Sequence, residues 1–269
     1  MSTSPRARAP TILEFERFEF KYFIDEALVD PIRTFTAPFL RLDPTCQREP
    51  SGTYVVTNLY WDSPAMDLYW DHVNGSPDRF KLRIRSYGDE TSDSPCFFEV
   101  KRKVRNVVVK HRAVVLRSQY DAVLDGDPSV RTEDAQQAHL DDFMGRMIRY
   151  GCSPNFLIRY EREAYENVFD EDARITFDRS VRYQPATGRN PSGGSRGWTY
   201  IDTPALMAGV PDPVLLELKF GAFVPAWMGE LVRRFELRRT QFSKYLSVAT
   251  HFQENALALA DDQRRPRRS

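Results

Sequence analysis

Cysteine is scarce in this 269-residue chain: Cys46, Cys96 and Cys152 stand far apart, with no CxxC spacing. An odd count at such separations argues against a disulfide framework or a structural zinc site, so three reduced, buried thiols are expected. The four histidines, His72, His111, His139 and His251, show no metal-ligand spacing and read as surface or core residues. No GxxxxGK loop occurs, which removes the backbone cradle that many phosphate sites use. The first residues, MSTSPRARAP, lack the apolar stretch of a secretory signal, and no run approaches the ~20 apolar residues that cross a bilayer. A cytoplasmic location, with no transmembrane segment in the chain, is the resulting expectation. Net charge is also missing: 38 basic residues balance 38 acidic ones. Without a global basic field no nucleic-acid partner is expected, and any anion binding has to come from local arrangement.

What is present suits one sizeable core, with 41% hydrophobic and 13% aromatic residues and no shift in composition to mark a domain boundary. Residues 1–11 read as a disordered leader, 12–258 as a single domain and 259–269 (ending RRPRRS) as a basic tail. Such a tail is either solvated or in contact with a membrane or an acidic partner. Strand patterns are expected at 15–23, 54–62, 79–88, 96–104, 106–115, 156–167, 174–184 and 214–220. Helices are expected over about 25–40, with an internal start at Asp30-Pro31, near 65–74, over about 117–150, and over about 225–258. Loop 185–197, rich in Gly, Ser and Pro, reads as a lid or a floppy connection. Mostly strands with helices inserted predicts an α+β fold built on a large antiparallel sheet.

Residues two apart on a strand share a face. That rule places Arg83 with Arg85, Glu99 with Lys101, Lys110 with Arg112, Glu217 with Lys219, and Arg174 with Thr176 and Asp178, each set opposite apolar neighbours. These are either the wet faces of half-exposed strands or the inward faces of a closed sheet. Two features favour the second. Glu-x-Lys occurs twice at equivalent points of two hairpins, hinting at an internal duplication, and so many cations on adjacent strands repel unless an anion or solvent sits among them. Closed inward, they make a cationic tunnel in which Arg and Lys meet phosphate oxygens while carboxylates hold Mg²⁺ or Mn²⁺.

The motifs EFKY (19–22), RIR (83–85), FFEVKRK (97–103), VVVKHR (107–112), RYEREAY (159–165), ARITFD (173–178), LLELKF (215–220) and FSKY (242–245) resemble, in order, those of the VTC domain. This is the polyphosphate polymerase module of the triphosphate tunnel metalloenzyme (CYTH-like) superfamily, and the resemblance runs from about residue 14 to 250. It implies a closed, eight-stranded antiparallel β tunnel with helices packed outside. It also implies transfer of the γ-phosphoryl of ATP to a polyphosphate chain, with Mn²⁺ or Mg²⁺ as cofactor. Carried over by motif, Lys21, Arg83, Arg85, Lys101, Lys110, Arg162 and Arg174 act on the reacting phosphates, and Lys219, Ser243 and Lys244 bind the chain. Glu217, then Glu19, then Glu99, are the metal carboxylates. The same tunnel also suits hydrolysis of tripolyphosphate or polyphosphate, with Glu19 or Glu99 orienting water, or binding without catalysis. Three departures stand out. The first strand reads Arg17-x-Glu19-x-Lys21 where the wider superfamily has Glu-x-Glu-x-Lys, and Gln241 stands where some relatives carry Lys. The chain also has no room for the SPX domain or membrane segments of the eukaryotic complex, so it resembles the stand-alone bacterial form, for which a separate membrane partner is conceivable.

Overall fold

Strands whose alternate residues are charged can bury only one face against helices, and the computed structural model shows where each face goes. It describes residues 18–264 apart from 89–90, 92, 105–106, 169–172 and 195. The expected leader and Arg17 therefore lie outside the described residues. The strands, numbered in chain order, are β1 (Phe18–Asp25), β2 (Leu40–Leu42), β3 (Tyr54–Asp62), β4 (Asp78–Tyr87), β5 (Pro95–Val104), β6 (Val107–Leu116), β7 (Ser153–Asn167), β8 (Arg174–Pro185), β9 (Thr199–Tyr200), β10 (Pro213–Phe220) and β11 (Arg239–Thr240). The helices are α1 (Val29–Thr36), α2 (Pro44–Arg48), α3 (Asp67–Val73), α4 (Tyr120–Leu124), α5 (Asp134–Arg149), α6 (Ala226–Arg234) and α7 (Lys244–Arg264).

All eleven strands join one antiparallel sheet, ordered β11-β1-β10-β8-β7-β3-β4-β5-β6, with β2 on β7 and β9 on β8. This corrects the expectation of a closed, eight-stranded tunnel. The sheet is open. The free side of β1 is taken by the two-residue β11, which pairs through Lys21 with Thr240 and Tyr22 with Arg239, while β6 ends the other side. The sheet nevertheless curls far enough for side chains to meet across the opening, as the Lys101–Glu19 contact between β5 and β1 shows. Register shifts at Tyr60/Trp61 and Arg159/Glu161 mark bulges, which add local twist, and Ser180, near the second, sits at φ 52°.

Three apolar clusters hold this shape. Outward residues of β3 to β6, including Leu82, Ile84, Phe98 and Val100, pack with Tyr120, Leu140 and Phe143 of α4 and α5. Outward residues of β1, β8 and β10 pack with Val29 and Ile32 of α1 and with Trp227, Met228 and Leu231 of α6. Arg33 fastens α1 to β7 by bonds of 2.6 and 2.5 Å to Glu163. The third cluster lies on the concave face, where Tyr60, Ile158, Tyr160 and Leu215 pack with Phe242, just before α7, and with Tyr245, Val248 and Ala249 of α7. Asp62, fully buried, accepts bonds from the backbone N–H groups of Ser63, Leu68 and Tyr69 and from the Tyr245 hydroxyl, tying β3, α3 and α7 together.

Helix expectations needed more revision than strands. The segment 25–40 is a 3₁₀ turn (Glu26–Leu28) followed by α1 and β2, with Pro31 inside the first turn of α1. Segment 117–150 is a short turn, α4 and α5. The single helix expected over 225–258 is broken, because the chain leaves α6 to add β11 to the sheet before α7 begins. Helix α7 continues to Arg264, into the segment read as a tail. All three cysteines are buried and in the thiol form, outside any disulfide. Among the described residues no helix is long and apolar enough to cross a membrane.

Candidate active site

The pleat of the curled sheet turns one residue in two toward the concave face, and on seven of the eleven strands some of those residues are charged. Glu19 and Lys21 come from β1, Glu217 and Lys219 from β10, Asp178 from β8 and Arg162 from β7. Lys81, Arg83 and Arg85 come from β4, Glu99 and Lys101 from β5, and Lys110 and Arg112 from β6. Ser243 and Lys244, at the start of α7, join them. In a chain of net charge zero, ten of these groups are cationic and four are carboxylates. The exposure of the cations is graded, from 43% for the Lys101 side chain to 8% for Lys244. One part of the face is wet and the part against α7 is dry.

The carboxylates organise the cations into nodes. In the dry part, Asp178 takes both Arg162 bonds and one from Lys244. Glu217 meets Lys219 at 2.8 Å, Lys244 at 3.1 Å and Arg162 at 3.3 Å. Burial by itself would raise both carboxyl pKa values; for Asp178 Arg162 and then Lys244, and for Glu217 Lys219 and then Lys244, outweigh it and hold both ionised. Beneath them lies an aromatic floor: Lys244 sits 4.5 Å and the Arg162 guanidinium 5.1 Å from the Tyr160 ring centroid, and Tyr60 stacks on Tyr245.

The second node is Glu99, fully buried and gripped by Arg83 at 2.7 Å, Arg112 at 2.6 Å and Lys110 at 2.7 Å. Burial opposes its charge, but Arg83, Arg85, Lys110 and Arg112 together keep it far below the ordinary carboxylate range. Arg85 is held differently. Asn58 Oδ1 accepts from its Nε at 2.9 Å, the Tyr87 hydroxyl accepts at 3.3 Å, and Glu99 is 4.0 Å away. The third node, Glu19, pairs with Lys21 at 2.9 Å and with Lys101 at 3.6 Å, while Lys21 also donates to the Phe242 carbonyl at 2.8 Å. Lys110 holds its charge only weakly. Burial, reinforced by Arg83, Arg112 and Arg85, outweighs Glu99 and brings its pKa down to about 7.

The structure thus brings together Lys21, Arg83, Arg85, Lys101, Lys110, Arg162, Lys219, Ser243, Lys244, Glu19 and Glu217. Arg174 stands apart: it is exposed, opposite Lys219 in register at the end of β8. Arg112 and Asp178 were on the shared faces read from alternation yet absent from the site expected by motif. Lys81, two residues before Arg83, follows from the same alternation rule. Tyr60 and Asn58 carried no sequence signal, because both lie in the apolar run of β3.

Glu99 has no oxygen free of Arg or Lys, so neither a metal role nor the orientation of water fits it. Among the described residues no group of three or more His, Cys, Asp or Glu side chains is placed to hold a metal ion. Glu19, whose Oε2 meets Lys101 at the longer distance of 3.6 Å, is the donor of this face that best fits a hard cation; Glu217, its diagonal neighbour on β10, has both oxygens on Lys219, Lys244 and Arg162 and would give up one of these cations to join it. Two carboxylates, with the remaining positions left to phosphate and water, suit Mg²⁺ or Mn²⁺ bound together with a phosphate ligand.

The family profile described as VTC domain matches residues 16–252. No curated protein matches the sequence. Among solved structures, a candidate adenylate cyclase from Bacillus halodurans is similar at 10% identity, over 86% of this chain and 94% of that one, with a TM-score of 0.45. A candidate adenylyl cyclase from Hippeastrum, described as having dominant triphosphatase activity, is similar at 15% identity, over 87% and 96%, with a TM-score of 0.43. A candidate adenylate cyclase from Vibrio parahaemolyticus is similar at 10% identity, over 87% and 98%, with a TM-score of 0.43.

Proposed function

Because the chain belongs to the VTC domain family, we propose that it is a metal-dependent polyphosphate polymerase that uses ATP as phosphoryl donor. The observation that carries this reading is the excess of cations over carboxylates on one enclosed face of a chain with no net charge. Such a face is stable when a polyanion completes it.

The reaction asks little covalent chemistry of the protein. A terminal oxygen of the polyphosphate attacks the γ-phosphorus of ATP, the bond to the β-phosphate oxygen breaks, and ADP leaves with that electron pair. The attacking phosphate is already ionised, so no general base is required, and positioning and charge neutralisation supply the rate. Arg83, Arg85 and Arg162 offer forked donors to the reacting phosphates, fixed by Glu99, Asn58 and Asp178. Lys101 and Lys110 line the wetter part and, with Lys21, guide the chain; Lys219, Ser243 and Lys244 hold it on the β10–α7 side. Glu217 and Glu19 would hold Mg²⁺ or Mn²⁺, which supplies further neutralisation of the phosphate oxygens when bound.

A second reading, hydrolysis of tripolyphosphate or polyphosphate, rests on Glu19. Its side chain is 27% exposed and its contact to Lys101 is loose, so it is the carboxylate of this face best able to orient water. Purified protein incubated with Mn²⁺ and ATP, then with tripolyphosphate, separates the two. Growth of long chains with release of ADP supports polymerisation, release of orthophosphate alone supports hydrolysis, and inert binding removes both.

A further inference from the structure

Two neighbouring rungs cross β4, β5 and β6, and they are charged in different ways. In the first, Arg83 faces Glu99 and Glu99 faces Arg112, so a carboxylate lies between two cations. In the second, Lys81 faces Lys101 and Lys101 faces Lys110, with no carboxylate in the rung. Side chains directly opposite one another stand about 5 Å apart at Cβ, and like charges there are destabilising. Two of the three lysines find relief outside the rung, Lys110 on Glu99 at 2.7 Å and Lys101 on Glu19 at 3.6 Å. Lys81 instead donates one bond, 2.9 Å long, to the Ser243 hydroxyl. Burial, and then the positive charges of Lys101, Lys21, Arg83 and Arg79, push its pKa well below the usual lysine value.

The hydrogen-bond inventory points the same way. An ammonium has three donors, and Ser243 accounts for one of them. The Ser243 oxygen accepts from Lys81 and, at 3.5 Å, from the Leu246 backbone N–H, which leaves its own hydrogen to donate. Among the described residues, two amine hydrogens of Lys81 and one hydroxyl hydrogen of Ser243 therefore converge without an acceptor, at the lysine of the rung that has no carboxylate partner. Resting on the reading of this face as a phosphate-chain site, we propose that Lys81 and Ser243 form a further phosphate-binding position that takes one unit of the chain beyond those held by Arg83 and Arg85. Four residues along a strand span about 13 Å, so Lys81 and Arg85 lie too far apart for one orthophosphate to touch both. The position therefore favours linear polyphosphate over orthophosphate.

Calorimetric titration of tripolyphosphate into wild type, Lys81→Met, Lys81→Arg and Ser243→Ala, with the melting temperature of each ligand-free protein, tests this. Lys81→Met is expected to weaken binding roughly tenfold, the size of one charge-assisted hydrogen bond, and Ser243→Ala to weaken it less. Lys81→Arg is expected to restore most of the affinity. The ligand-free melting temperature of Lys81→Met should equal or exceed that of wild type, because a cation leaves a like-charged rung. Equal affinity in wild type and Lys81→Met overturns this position alone, as does a loss of affinity that Lys81→Arg fails to restore. Failure of wild type to bind tripolyphosphate overturns the underlying reading of the face as well.

Discussion

Arg162 and Asp178 face each other across β7 and β8 through two parallel hydrogen bonds, Nε to Oδ1 at 2.7 Å and Nη2 to Oδ2 at 2.8 Å. The carboxylate is fully buried and also takes the Lys244 amine. Removing one member of a buried pair strands the rest, at a cost of about 3–5 kcal/mol. Asp178→Ala should therefore lower ligand-free stability by that order in urea denaturation, and tripolyphosphate should restore part of it by supplying the missing negative charge. A variant as stable as wild type would show that the node is not needed to assemble the face.

Arg85 is predicted to matter for ligand more than for folding. Its fork is aimed by Asn58 and Tyr87, both neutral, whereas Arg83 is neutralised by Glu99. Arg85→Ala should weaken tripolyphosphate binding by roughly 10- to 100-fold, as loss of hydrogen bonds to a charged partner does. Its urea midpoint should move much less than that of Asp178→Ala.

Lys110 makes binding sensitive to pH. Its folded pKa of about 7 lies far below that of a free lysine, so the unfolded chain holds more protons above pH 7. Ligand-free stability from this group therefore rises with pH between about 7 and the ordinary lysine range. Affinity runs the opposite way, because a phosphate chain favours the protonated amine. Tripolyphosphate affinity of wild type should fall relative to that of Lys110→Arg as pH climbs above about 7. A constant ratio from pH 6.5 to 9 would remove Lys110 from the binding surface.

Glu217 is predicted to separate metal use from chain binding. Glu217→Gln frees Lys219 and Lys244 for phosphate, so metal-free affinity for tripolyphosphate should hold or rise. The Mn²⁺ concentration for half-maximal turnover should rise at least roughly tenfold. Chelation should abolish turnover of the wild type. An unchanged metal requirement in the variant would place the ion elsewhere.

The strands were legible because alternation is a local property. Every long strand was anticipated to within a few residues, and the shared faces of Arg83 with Arg85, Glu99 with Lys101 and Glu217 with Lys219 are those the pleat displays. What alternation does not carry is which strands become neighbours. The meeting of Glu19 with Lys101, or of Ser243 with Lys81, depends on curl across the whole sheet. Closure was overestimated for the same reason, since the two residues of β11 that occupy the edge of β1 lie within what periodicity reads as a helix. Tyr60 and Asn58 stayed hidden because a polar atom in an apolar strand declares its role only once Arg83 and Arg85 stand beside it.

The central claim is that the concave face seats a chain of phosphates, and direct titration of tripolyphosphate against orthophosphate tests it most simply. At one fixed salt concentration with Mn²⁺ present, tripolyphosphate should bind at least roughly a hundredfold more tightly, because cations from Lys81 to Arg85 and from Lys21 to Lys244 engage several units at once. Equal affinity for the two anions, or no binding of either, would contradict the account.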